Sequence, residues 1–153
     1  MLKSFISVVI CLGAGFVGSL FTSSVIDSWY AGINKPSFNP PSWIFGPVWT
    51  LLFILMGIAA AMIWNKGLDN GVVKIALIVF IVHIILNVLW SVFFFGMQNP
   101  GLAFIEIIIL WLMIALVMYL FYQIDHRAAY LLIPYILWVS FATVLNFSIW
   151  RLN

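Results

Sequence analysis

Apolar runs of about twenty residues recur along the whole chain, and each is long enough to cross a hydrocarbon core of about 30 Å at about 1.5 Å per residue. Nothing constrains the fold more. In lipid every backbone N–H and C=O must find its partner inside the protein, which leaves only helices and closed barrels. A barrel strand needs about ten residues of alternating character, whereas these runs are longer and apolar on every face. The spans are therefore helical. Composition agrees: 66% of the 153 residues are hydrophobic and 7% charged, where a soluble domain carries about a quarter charged residues. The chain reads as an all-α integral membrane protein, a bundle of five transmembrane helices forming one domain, 1–153.

The spans fall at about 2–26, 43–64, 72–95, 100–122 and 128–150, with a long loop at 27–42. The other connections are short. NKGLDNG (65–71) is a Gly- and Asn-rich turn, GMQN (96–99) leads into Pro100 with Asn99 as its helix cap, and QIDHR (123–127) is a charged turn. Lys3, Lys66, Lys74 and Arg127 fall on the amino-terminal side, against Lys35 and Arg151 on the other. The positive-inside rule then places the amino terminus in the cytoplasm and the long loop outside. The few scattered charges exclude a nucleic-acid surface. Cys11 is the single cysteine, so neither an intrachain disulfide nor a thiolate metal cluster is possible, and no metal site is expected. Helix 1 carries Gly13, Ala14, Gly15, Gly18 and Ser19, a spacing of small residues that permits close helix approach.

Five alternating spans bring the end of helix 1, the start of helix 2, the end of helix 3, the start of helix 4 and the end of helix 5 to the face that carries the long loop. Counted from that face, Trp49, Asn87, Trp90, Glu106, Trp138 and Ala142 lie about 8–18 Å deep. His83, Asn87, Trp90 and Phe94 form one helical stripe, and Tyr135, Trp138, Ala142 and Leu145 form another. An amide at Asn87 facing lipid would cost several kcal/mol, so this stripe faces the bundle interior. The pattern predicts an aromatic cavity beneath the loop.

Trp29, Trp43, Trp64 and Trp150 sit at the membrane boundaries and are explained as interfacial anchors. For Trp49, Trp90 and Trp138, packing is as good an explanation as ligand contact. His83 fits an interhelical hydrogen bond, and Glu106, an acid within a span, is a functional candidate by default. No phosphate loop, HExxH or nucleophile–base pattern occurs. A bis-histidine haem site fails because His126 lies in a turn on the opposite face from the cavity.

Three blocks, WYAGINKPSFNPPSWIFGPVWT (29–50), LNVLWSVFFFG (86–96) and YLLIPYILWVSFATVLNFSIWRLN (130–153), resemble in order the signature blocks of the translocator protein family, also called tryptophan-rich sensory proteins or peripheral-type benzodiazepine receptors (TspO/MBR). The resemblance implies a five-helix bundle, usually a homodimer, that binds tetrapyrroles such as protoporphyrin IX and haem, sterols, and benzodiazepine- and isoquinoline-type ligands. It implies a pocket enclosed by all five helices and covered by the first loop, with no cofactor required. The ligand-binding positions it implies are Trp49, Asn87, Trp90, Trp138, Ala142 and Leu145, with Phe53 and His83 added where the chain departs from the family pattern. His83 stands where glutamine is frequent, and Phe53 where tyrosine is. Phe147 replaces the tyrosine of the cholesterol motif found in animal members.

Three functions follow for testing: a receptor or carrier of porphyrin, a light- and oxygen-dependent porphyrin-degrading enzyme with Trp49 and Trp138 as its redox partners, and a small transporter or structural protein. The expected location is a bacterial cell membrane. Pro36, Phe38, Pro40 and Pro41 are expected to make the loop a preformed lid, because proline fixes φ near −65° and lacks an N–H.

Overall fold

The computed structural model describes residues 1–153. Its helices are α1 (Leu2–Ser23), α2 (Trp29–Gly32), α3 (Phe45–Trp64), α4 (Gly71–Ser91), α5 (Pro100–Ile124), α6 (His126–Leu131) and α7 (Ile133–Leu152). A 3-10 turn, Ser42–Ile44, leads into α3, and a π-helical turn, Val92–Gly96, extends α4. Five segments are long and apolar enough to span a membrane: Leu2–Ser23, Ser42–Trp64, Gly71–Gly96, Pro100–Ile124 and His126–Leu152.

Local chemistry explains where the spans start. Asn70 Oδ1 accepts from Val72 N at 2.9 Å and opens α4. The expected cap at Asn99 accepts from Leu102 N at 3.0 Å, with Pro100 at the first helical position, where its missing donor costs nothing. Asp125 Oδ1 accepts from Arg127 N at 3.0 Å and starts α6. Between α6 and α7 the fifth span breaks at Leu132, because Pro134 offers no N–H to the preceding turn. The first span stops at Ser23 rather than running to 26, and the long loop contains the single turn α2. There Lys35 Nζ donates to the carbonyl oxygens of Tyr30 at 2.8 Å and Ile33 at 3.0 Å, satisfying groups that the end of α2 leaves free.

Around the bundle, α1 packs on α3, α3 on α6, α7 on α5, α5 on α4, and α4 returns to α1. The end of the bundle bearing residues 24–41 is called the loop end, and the other the turn end. Toward the turn end the interior is solid, with Met56, Ala59, Ile63, Val73, Ala76 and Phe121 wholly buried. At the loop end a separate cluster gathers Tyr30, Phe94, Phe95, Ala103, Leu145 and Ile149.

Candidate functional site

Beneath the loop the spans part around a cavity of about 340 Å³. Small residues of α1, Ala14, Gly15 and Gly18, line one side, and the other sides are aromatic: Trp49 and Phe53 of α3, Trp90 and Phe94 of the third span, Trp138 and Phe141 of α7. The rings are held in place by each other. Trp90 stacks on Phe94 with centroids 5.1 Å apart and planes at 25°. Trp49 lies 5.7 Å from Phe53, and Trp138 is braced by Phe45 at 6.2 Å and Phe141 at 5.5 Å.

Seven of the eight expected ligand-binding positions border this cavity: Trp49, Phe53, Asn87, Trp90, Trp138, Ala142 and Leu145. His83 does not. It is 1% exposed and sits one helical turn deeper on α4, where its ring meets Tyr135 of α7 rather than open space. Its Nε2 lies 2.8 Å from Tyr135 Oη and its Nδ1 2.9 Å from the carbonyl oxygen of Phe80. Both nitrogens are engaged, so His83 is not an axial ligand for a metal held in the cavity. The expectation of a pocket enclosed by all five helices is also corrected. No residue of α5 lines it, because α5 packs behind α4 and α7. Glu106 on α5 is therefore buried off the wall, and neither carboxyl oxygen has a hydrogen-bond partner.

Pro36, Phe38, Pro40 and Pro41 lie one layer away from the cavity. The loop reaches it through Tyr30, which lines the cavity and is 2% exposed. The Tyr30 hydroxyl donates to Asn39 Oδ1 at 2.8 Å, which ties the buried ring to the proline-rich stretch. Burial pushes this hydroxyl up to about 12, so it stays protonated through the neutral range. Phe38 meets Phe141, a wall residue, edge-on at 6.2 Å. Asn34 and Asn153 clasp the loop to the end of α7: Asn34 N donates to Asn153 Oδ1 at 3.0 Å, and Asn153 Nδ2 returns a bond to the Asn34 carbonyl at 2.8 Å.

Among the lining residues not singled out from the sequence are Tyr30 and Asn146. Tyr30 follows Trp29 and reads as part of an interfacial pair, although α2 turns it inward. Asn146 lies one residue after Leu145 and interrupts an apolar run, a signal that was available. It accepts from Trp90 Nε1 at 2.9 Å and donates to the carbonyl oxygen of Pro100 at 2.8 Å, joining three spans. By contrast, Trp138 Nε1 is buried with no acceptor, at a cost of about 1–3 kcal/mol.

The cavity also has a side opening. Phe16 and Ser19 of α1 and Gly46 and Thr50 of α3 both line it and are exposed on the outside of the bundle. It therefore opens between α1 and α3 toward the surroundings of the spans. Chemically it can accommodate a flat apolar ring system, with Asn87 as a polar contact.

The TspO/MBR family profile matches residues 7–151. The chain is 44% identical over 144 residues to the tryptophan-rich protein TspO of Chlorobaculum tepidum, covering 94% of this chain and 91% of that one. It is 44% identical over 155 residues to the protein of the same name from Archaeoglobus fulgidus, covering 100% and 98%. To the human translocator protein it is 36% identical over 141 residues, covering 90% and 82%.

Proposed function

This chain belongs to the TspO/MBR family, and on that premise we propose that it is a membrane receptor or carrier that binds planar tetrapyrroles, protoporphyrin IX or haem, in the cavity beneath the loop. The observation that carries the reading is the convergence of Trp49, Trp90 and Trp138 on one space whose remaining side is α1. Indole faces attract a flat π surface. At about 340 Å³ the cavity stands near the lower end of the usual range for ligand sites, about 300–1,000 Å³. A macrocycle would thus extend into the opening between α1 and α3, which also gives it a route from the bilayer. Benzodiazepine- and isoquinoline-type molecules suit the same walls.

Titration of the purified protein in lipid nanodiscs with protoporphyrin IX tests this reading. Saturable quenching of tryptophan fluorescence is expected, weakened when Trp49→Phe and Trp138→Phe are combined. Quenching that never saturates, or that ignores both substitutions, would defeat it. A second reading, light- and oxygen-dependent degradation of the bound porphyrin, is favoured by one feature: both indoles border the same cavity. Illumination in air should then yield a discrete absorbing product that requires both, and bleaching at the rate seen in empty nanodiscs would rule it out.

A further inference from the structure

Beneath the cavity runs a chain of three polar side chains, of which only Asn87 borders the open space, and its hydrogen-bond directions follow from one fixed end. The Phe80 carbonyl can only accept, so His83 Nδ1, 2.9 Å away, must carry the proton. No carboxylate is in ion-pair contact with the ring, and an unpaired imidazolium in this apolar interior would carry a heavy desolvation cost. The ring is neutral and its Nε2 is a bare acceptor. Tyr135 Oη, at 2.8 Å, therefore donates its one proton to Nε2. With that proton spent, Tyr135 Oη can only accept from Asn87, 2.6 Å away, so the atom of Asn87 beside it must be the amide nitrogen. Asn87 is 6% exposed and borders the cavity. Its carbonyl oxygen, which has no hydrogen-bond partner in the protein, remains as an acceptor for whatever occupies that space.

We propose that His83 is a positioning residue that sets the polarity of the cavity floor: through Tyr135 it holds the Asn87 amide with its oxygen toward the cavity, so ligands bearing an N–H or O–H donor at that end are selected. The inference rests on the cavity being a ligand site and specifies what that site prefers. The selection comes from a residue that the ligand never touches. A glutamine at 83 would not impose it, since its amide can present either a donor or an acceptor to Tyr135, leaving Asn87 free to turn either way.

Two probes of the same outline separate the alternatives: carbazole, with an N–H at the middle of one edge, and dibenzofuran, with an oxygen in its place. Isothermal titration of the full chain in nanodiscs should show carbazole binding about three- to tenfold more tightly, the worth of one net hydrogen bond. In His83→Gln and in Tyr135→Phe that ratio should fall toward one, with carbazole losing affinity while dibenzofuran holds or gains. Equal affinities in the wild type, or an unchanged ratio in both variants, overturn the inference alone. Binding of neither probe overturns it together with the cavity's reading as a ligand site. Should the variants fail to fold, nitrogen-15 shifts of the wild-type ring decide: a protonated Nδ1 and bare Nε2 are required, and the opposite tautomer refutes the proposal.

Discussion

The same two helices, α1 and α3, meet in two ways along their length. Toward the turn end Gly57 admits the backbone of Val8 itself, and a Cβ on Gly57 would stand 2.5 Å from Val8 Cα. Toward the loop end Gly15 faces the ring of Phe53, and a Cβ there would stand 2.7 Å from its Cδ2. Beyond that point the helices part around the cavity. In lipid no hydrophobic force presses helices together, so approach is set by packing at the seam. A glycine against backbone closes the seam, whereas a glycine against a ring forms a wall with space behind it.

The largest expected effect breaks the closed half. Gly57→Ala forces a methyl into main chain that cannot rotate away, and should destabilise the protein by about 1–3 kcal/mol, read as a lowered unfolding temperature in detergent. Asn146→Ala follows, because it leaves Trp90 Nε1 without its acceptor and removes the side-chain bond to the Pro100 carbonyl. About 1–3 kcal/mol is expected for an orphaned buried group, with faster hydrogen exchange at the start of α5. Gly15→Ala should do the reverse of Gly57→Ala: the Phe53 ring can swing into the cavity, so stability changes little while affinity for protoporphyrin IX falls. Equal losses of stability at the two glycines would show that the halves do not differ as described.

The smallest effects concern pH at the two ends. Tyr30 is held up at about 12 by burial, above its unfolded value of about 10. Its contribution is therefore complete below pH about 10 and disappears as pH rises toward about 12. At the turn end the Arg127 hydrogen bond holds the Asp125 carboxyl below its ordinary range. Its contribution is present above about 3.9 and is lost as pH falls through the depressed folded value. Unfolding temperatures across pH should show the alkaline limb vanish in Tyr30→Phe and the acid limb in Asp125→Asn.

The spans were legible because a bilayer leaves an apolar run little choice of conformation, and the cavity's aromatic wall was legible because Asn87, Trp90 and Phe94 repeat at helical spacing. Depth was less so. His83 shares that stripe, and periodicity alone does not say on which level the cavity floor lies; the Tyr135 ring opposite decides it. The absence of α5 from the wall was equally hidden, since length and apolarity are the same for a helix on the cavity and one behind it. Tyr30 depended on the turn of α2, which follows from how Lys35 gathers its carbonyl oxygens. Asn146 depended on knowing that Trp90 would come within reach.

The π-helical turn at Val92–Gly96, closed by a bond from Met97 N to the Val92 carbonyl at 2.7 Å, gives α4 one more residue than its ordinary pitch would hold. Neighbours Phe94 and Phe95 can therefore both face inward, which ordinary helical spacing does not favour. This makes the segment a reserve of slack in an otherwise rigidly counted helix. A one-residue deletion elsewhere in α4 would rotate everything beyond it by about 100° and throw the interior face out of phase. Removing Phe95 would instead return the turn to α pitch and leave Asn87 and Trp90 on one side, and Asn99 and Pro100 on the other, in their present settings. The helix can thus lose length at this place alone without losing its bearings.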